Sequence, residues 1–297
     1  GPLTHEGKTT GDYKEITEIF NGCFSSVFTH ENGSDVHPPA VFGGDEDEKL
    51  CTLEITRETV CKKLTELKSS SAPGPDGIHP RVLKECANEL SLPLSIIFQM
   101  SLNVGELPSE WKRSNISPVF KKGKKNMAEN YRPINLVSVV CKTMESILKD
   151  VIMNHLQTHN LISNTQHGFM PGRSCTSNLL EYLNRVTAAL DQGHSFDVIM
   201  LDYQRAFDVV PFRQMLAKVS SHGIGGNILK WIENWTVNRV QRCVLNGEHS
   251  GWVDVTSSVV QGSVLGPILF TIFMNNIDLA INSSHGVLVP GGGIFLY

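Results

Sequence analysis

The sequence predicts an α+β fold, in which amphipathic helices surround a few short strands and hairpins. Apolar residues recur at helical spacing over 144–156 and again over 179–190. The continuous apolar run 198–201 has the length and composition of a buried central strand. Two apolar segments joined by a Gly- and Ser-containing linker over 240–260 predict a β-hairpin. Together these patterns favour a mixture of helices and strands over an all-α or an all-β chain.

The remaining elements follow from local start and stop signals. A short helix is predicted within 13–28, and the Gly-, Pro- and Asp-containing stretch 29–49 is predicted to be a loop or linker. A helix over 56–68 is capped by its first residue, a threonine, and another begins at Pro80 and is expected to break near Pro93. Three further helices are predicted, at 212–221, 227–237 and 264–279.

Composition places the chain among ordinary globular proteins. Of its 297 residues, 40% are hydrophobic and 19% are charged. No apolar run reaches about 18 residues, so no membrane-spanning helix is expected. The seven cysteines are odd in number and form no C-x-x-C pair, which argues against a disulfide framework and a structural zinc site. We therefore expect an intracellular protein, of the nucleus or the cytoplasm.

Positive charge is concentrated in one segment, although the whole chain carries a formal net charge of −4. Residues 111–132 hold seven basic side chains and one acidic side chain. Within them, a predicted strand at 116–120 leads into a glycine-centred turn with four lysines at 121–125. This pattern predicts a hairpin with a basic tip. Such a tip commonly forms a merely solvated face, but it is also suited to binding phosphates.

A single carboxylate follows the predicted buried strand. Asp202 comes directly after the apolar run, and a strand end is a rigid place from which to hold a metal ion. By itself, an aspartate at this position more often caps a helix or a turn. The segments around it decide between these interpretations.

Five segments in order resemble motifs of the reverse transcriptases of LINE-type (non-LTR) retrotransposons. The resemblance extends over nearly the whole chain, from about Tyr13 to Tyr297. Each motif alone could arise by chance, whereas five in family-like order and spacing are specific. The segments are 72–80, 130–134, 166–174, 201–208 and 261–267.

The resemblance implies the fingers and palm of a right-hand polymerase, with the thumb absent. On this basis residues 1–50 form an N-terminal helix and acidic linker, 51–190 the fingers and 191–297 the palm. The implied activity is RNA-directed DNA polymerisation, in which deoxynucleotides are added to a DNA primer on an RNA template. The implied cofactor is a pair of Mg²⁺ ions, and the implied partners are the template, the primer and deoxynucleoside triphosphates. No membrane is implied.

The resemblance also implies roles for individual residues at the nucleotide. Asp202 matches the first metal-binding carboxylate, and the backbone carbonyl of Tyr203 lies beside it. Phe207 matches the aromatic ring that would clash with a ribose 2′-hydroxyl and so select deoxynucleotides; otherwise it would be an ordinary core residue. Gln261 matches the residue that contacts the sugar of the incoming nucleotide. Asp208 is expected to be structural rather than a metal ligand.

Phosphate and template contacts complete the implied site. Arg132 matches an arginine that binds the triphosphate, a task suited to a permanently charged, planar guanidinium. Lys121 and Lys122 would add charge to the same phosphates. Arg173 is expected either to contact the template backbone or to form a structural salt bridge. The other implied template contacts are Gly262 and Asp76.

One part of the family pattern is missing. The family carries two further aspartates in an aromatic-Ala-Asp-Asp turn between two palm strands, and this sequence contains no Asp-Asp pair. Residues 294–297 could be the strand that enters this turn, so that the sequence stops before it. Alternatively, Gly291 and Gly292 could replace the aspartates. We favour the first explanation, and predict an inactive isolated domain; the alternative function is a non-catalytic remnant that binds RNA or a protein.

Overall fold

A computed structural model of the chain describes residues 1–31, 37–194, 199–201, 203, 205–275, 286–289 and 293–296. In this part of the chain, groups of helices and groups of short, mostly antiparallel strands follow one another, as expected for an α+β fold. The helices are α1 (Tyr13–Ser25), α2 (Arg57–Thr65), α3 (Pro80–Glu85), α4 (Ala87–Val104), α5 (Val139–Thr158), α6 (Cys175–Asp191), α7 (Phe212–Ser221), α8 (Gly226–Thr236) and α9 (Gly266–Met274). The strands are β1 (Leu3–His5), β2 (Lys8–Thr10), β3 (Arg113–Phe120), β4 (Tyr131–Val137), β5 (Ile199–Leu201), β6 (Arg239–Leu245), β7 (Glu248–His249), β8 (Val253–Val255), β9 (Gly286–Val289) and β10 (Gly293–Leu296).

A five-stranded sheet carries the basic hairpin. Its order is β4-β3-β6-β7, and β8 also pairs with β6. Strands β3 and β4 are antiparallel, from the pair Ser114 and Val137 to the pair Phe120 and Tyr131. Strand β3 runs parallel to β6, although more than 100 residues separate them in sequence. The sheet therefore joins strands from both sides of residue 190, where the predicted fingers end.

A second sheet contains the strand that precedes Asp202. Its order is β5-β10-β9, and both pairings are antiparallel. Leu201 pairs with Ile294 at one end of β5. Among the described strands β5 pairs with β10 alone and lies at the edge of this sheet, not at the predicted central position. A continuous apolar run indicates burial of both faces of a strand, but it does not reveal how many strands pair with it.

The main hydrophobic core surrounds α5. The side chains of Met144, Leu148 and Ile152 are fully buried there, as the helical periodicity predicts. Helix α6 forms where predicted, but its apolar stripe is exposed in the structure, with Leu180 57% and Leu190 60% accessible. No helix in the described part of the chain is long and apolar enough to cross a bilayer.

The helix break near Pro93 is not found where it was predicted. Helix α4 runs through Pro93 to Val104, and the break lies earlier, at Cys86, whose ψ of 25° is not helical. Buried Phe98 and Leu102 anchor the later turns of α4 in the core, and this packing compensates for the missing amide hydrogen of the proline. The predicted cap of α2 is confirmed, since the Thr56 side chain accepts a hydrogen bond from the Thr59 amide at 3.2 Å.

Candidate nucleotide-binding cleft

A cleft of about 870 Å³ opens between the β3–β4 hairpin and the segments around residues 203–208 and 261–262. Most of the predicted site residues share it, although they come from three distant parts of the sequence. The predicted residues on its walls are Lys121, Lys122, Arg132, Tyr203, Phe207, Gln261 and Gly262.

Three predicted site residues are not among the described residues on these walls. Asp202 lies outside the described residues. Asp76 and Arg173 are not among the described residues that line the cleft. Asp76 accepts a hydrogen bond from the Ile78 amide at 3.3 Å within its own loop. Arg173 donates to the carbonyl oxygens of Asn164 and Gln166, the latter at 2.8 Å, and forms no salt bridge with the described residues. Their template roles stay predictions.

The hairpin forms a basic wall of the cleft. Its connection after Phe120 is closed by internal bonds, in which the Asn130 side chain donates to the Lys124 carbonyl and the Tyr131 hydroxyl to the Lys125 carbonyl. All four lysines at 121–125 are exposed, and none of them forms a salt bridge within the described part of the chain. Unneutralised cations held close together on a closed turn favour an anionic ligand.

Phe207 forms part of the floor and is fixed by two other aromatic rings. Its ring centroid lies 4.6 Å from that of Phe270 and 6.0 Å from that of Phe169. Its carbonyl oxygen accepts a hydrogen bond from the Val259 amide at 2.7 Å. The side chain is only half-buried, so it both packs and borders the cleft. Phe169 lies within the motif segment 166–174, whereas Phe270 lies just beyond the segment 261–267.

Gln261 is held at both its backbone and its side chain. Its carbonyl oxygen accepts from the Asn135 amide at 3.2 Å. Its Nε2 donates to Oδ1 of Asp208 at 2.9 Å. Burial raises the pKa of Asp208 to about 6, against the opposing effects of the Gln261 hydrogen bond and of Arg205. Asp208 thus has the structural contact expected of it, but the sequence did not reveal its partner.

Gly262 is required by the fold itself. Its φ is +93°, and a Cβ at this position would lie 2.8 Å from the carbonyl oxygen of Asn135. Any other residue would be strained here and would push β4 away from the cleft. The glycine is therefore explained by its close approach to β4, without the template contact that the resemblance implies.

The comparison with known proteins now identifies the family. The family model described as "Reverse transcriptase (RNA-dependent DNA polymerase)" matches residues 120–296, which is more than half of the chain. The chain belongs to the reverse transcriptase family. The match includes the basic hairpin, the Phe207 turn, the Gln261 segment and the strands β9 and β10.

The relatives of this reverse transcriptase chain are proteins of non-LTR retrotransposons, as the motifs predicted. It is 28% identical over 220 residues to the "RNA-directed DNA polymerase from mobile element jockey" of Drosophila funebris, covering 74% of this chain and 24% of the relative. It is 24% identical over 231 residues to the "Probable RNA-directed DNA polymerase from transposon X-element" of Drosophila melanogaster, covering 76% and 25%. The chain spans about a quarter of the length of these relatives.

A buried glutamate that the sequence analysis missed supports the Gln261 segment of this reverse transcriptase. Glu145 of α5 is 1% exposed. Its Oε2 accepts from the amides of Val264 and Leu265 at 2.7 and 3.2 Å, and its Oε1 accepts from Nε1 of Trp235 at 3.2 Å. These bonds tie the start of α9, directly after the cleft, to the core helix. The available signal was a carboxylate on the apolar face of α5.

The family implies two Mg²⁺ ions, and the described residues do not fit such a site. The carboxylates among the described cleft residues are those of Asp208 and Glu129. Asp208 accepts a hydrogen bond from Gln261, and Glu129 lies in the connection between β3 and β4. In the described part of the chain, no group of three or more His, Cys, Asp or Glu residues is arranged to hold a metal ion. We therefore derive no step through a metal from this arrangement.

Proposed function

We propose that this cleft binds a deoxynucleoside triphosphate beside a nucleic-acid template, as part of an RNA-directed DNA polymerase that extends a DNA primer on an RNA template. The observation that carries the proposal is that cationic, aromatic and amide side chains from three sequence segments converge on one cleft. Residues 51–190 and 191–297 would be the fingers and the palm.

Each wall of the cleft suits one part of a nucleotide. Arg132 and the lysines Lys121 and Lys122 would bind the triphosphate, because guanidinium and ammonium groups favour phosphate oxygens. The ring of Phe207 would lie beneath the sugar and disfavour a 2′-hydroxyl. Gln261 would contact the sugar from the turn that precedes α9. Template contacts are proposed for Gly262, Arg173 and Asp76.

We infer that Gly291 and Gly292 occupy the place of the missing aspartates, rather than that the sequence stops before it. The supporting observation is that these glycines separate two paired antiparallel strands, β9 and β10. Strand β10 also pairs with β5, the strand that precedes Asp202. The segment 294–297 would then leave the turn instead of entering it. This favours the second candidate function, a non-catalytic remnant that still binds nucleotides or RNA.

Nucleotide binding tests the proposal directly. A fluorescent deoxyadenosine triphosphate should bind the chain, and Arg132→Ala should raise its Kd about 10-fold or more, because a charge-assisted contact to phosphate is lost. Arg113→Ala is the matched control, since Arg113 lies on the neighbouring strand β3 and is not among the described residues that line the cleft. Equal effects of the two variants, or no binding by the unchanged chain, would contradict the proposed site.

The basic hairpin should bind nucleic acid through phosphates. Changing Lys121, Lys122, Lys124 and Lys125 to Ala should weaken binding of a short RNA of any sequence, and should reduce the slope of log K against log salt by up to about 3. Filter binding or anisotropy between low and moderate salt measures both quantities. The charge-matched control changes four lysines elsewhere, Lys8, Lys14, Lys49 and Lys62, to Ala. An unchanged slope in the hairpin variant would indicate a merely solvated turn.

A further inference from the structure

We propose that Asp208 is a positioning residue that keeps the carbonyl oxygen of the Gln261 side chain available to the cleft, where it accepts a hydrogen bond from a sugar hydroxyl of the nucleotide. The inference rests on the proposed function of the cleft. It assigns to Asp208 a role in recognising the ligand that is exerted entirely through Gln261.

The two ends of the Gln261 side-chain amide form different hydrogen bonds. The Gln261 side chain has one donor end, Nε2, and one acceptor end, Oε1. Nε2 donates to Oδ1 of Asp208 at 2.9 Å. An ionised carboxylate can only accept hydrogen bonds, so it requires the NH₂ end of the amide to face it. Oε1 is then the amide atom left for a ligand, and Gln261 lines the cleft.

Hydrogen bonds fix the backbones of both Asp208 and Gln261. The Asp208 amide donates to the Arg205 carbonyl at 2.8 Å, and its carbonyl accepts from the Ser257 hydroxyl at 2.7 Å. The Gln261 carbonyl is held by the Asn135 amide. Because both backbones are fixed, the orientation of the amide depends on which atom Asp208 presents. The acceptor is therefore positioned before the nucleotide arrives.

Protonation of Asp208 should reverse this orientation. A carboxylic acid presents an O–H donor, which favours Oε1 of Gln261 facing it and leaves NH₂ for the ligand. Burial brings the pKa of Asp208 to about 6. The described charged groups around it are Arg205 in its own turn, Arg239 of β6 across a small cavity, and Lys121, Lys122, Glu129 and Arg132 across the cleft. A hydroxyl can also accept from this NH₂, so what should weaken as the pH falls through about 6 is the preference for a sugar group that donates over one that can only accept.

The side-chain amide resonances of Gln261 test the coupling without any nucleotide. In ¹H–¹⁵N spectra of the whole chain, the pair that disappears in Gln261→Met is assigned to Gln261. We expect it to shift between pH 8 and pH 5 with a midpoint near 6, and to stop responding in Asp208→Asn. A resonance that does not titrate in the unchanged protein would overturn the proposal. This result is independent of whether the cleft binds nucleotides.

A pair of nucleotides tests the consequence for recognition. Deoxyadenosine triphosphate should bind about 10-fold more tightly than its 3′-deoxy-3′-fluoro analogue at pH 7.5, because the fluorine can accept a hydrogen bond but cannot donate one to Oε1. The preference should fall toward 1 at pH 5.5. It should also fall in Asp208→Asn, since an asparagine pairs with the amide in either orientation. Arg132→Ala is the control, and should weaken both nucleotides equally.

The outcomes separate the two proposals. A preference that persists in Asp208→Asn would overturn the positioning role while leaving the cleft a nucleotide site. Failure of both nucleotides to bind would contradict the proposed function, and the resonance titration would still decide whether Asp208 orients Gln261. Asp208→Asn preserves the volume of this buried side chain, and circular dichroism of the variant establishes that it is folded.

Discussion

Expressed alone, this chain is expected to give no detectable extension of a DNA primer on an RNA template with either Mg²⁺ or Mn²⁺. Two-metal phosphoryl transfer needs one ion to activate the attacking hydroxyl and one to stabilise the leaving group. The sequence contains no Asp-Asp pair, and the described carboxylates of the cleft do not form an ion site. Two lost contributions of about 3 kcal/mol each would slow the reaction about 10⁴-fold or more. Gel analysis of a labelled primer measures this.

The double substitution Gly291→Asp with Gly292→Asp tests the cause of that inactivity. If these glycines replace the two aspartates, the variant should gain affinity for Mn²⁺, measured by the loss of the free-ion signal in electron paramagnetic resonance. The matched control is Gly291→Ala with Gly292→Ala, which changes the backbone freedom but adds no carboxylate.

Primer extension by the unchanged chain that disappears on Asp202→Ala would refute the predicted inactivity. It would mean that another carboxylate completes the site, with Asp208 and Asp278 the first to test.

The apolar periodicity of the sequence predicted the positions of helices well. It did not predict whether the apolar face of a helix is buried. In helix α5 the predicted apolar stripe is buried around Met144 and Leu148. Helix α6 also forms where predicted, but its apolar stripe is exposed. Periodicity reports which side chains share a face and contains no information about what covers it. For the same reason it could not predict the parallel pairing of β3 with β6.

Sequence analysis identified candidate site residues only within the family motifs. Arg132, Phe207 and Gln261 line one cleft as the motifs suggest. The contacts that hold these side chains were missed, including that between Gln261 and Asp208, which are 53 positions apart. A carboxylate in a sequence shows its charge, whereas its partner is determined by how distant segments pack. Arg173 shows the same limit, because backbone carbonyls of its own loop occupy it.

Removing the buried carboxylate of Glu145 should be the most destabilising single change considered, at about 3–5 kcal/mol for Glu145→Ala. The substitution leaves Nε1 of Trp235 and the amides of Val264 and Leu265 without their acceptor in a buried region. It also removes a negative charge that interacts with the fully buried Arg239. Unfolding in urea, followed by tryptophan fluorescence and by circular dichroism, measures the free energy of unfolding.

Two further variants decide whether the loss of stability in Glu145→Ala comes from the charge, from the hydrogen bonds or from neither. Glu145→Gln keeps one acceptor oxygen but no charge, so it should cost about half as much as Glu145→Ala. Glu248→Ala removes an exposed glutamate from β7 and should change the free energy of unfolding by less than about 0.5 kcal/mol. A loss below about 1 kcal/mol in Glu145→Ala would show that water or another group replaces the carboxylate. In that case α5 would not be what holds the Gln261 segment in place, and nucleotide binding should survive the substitution.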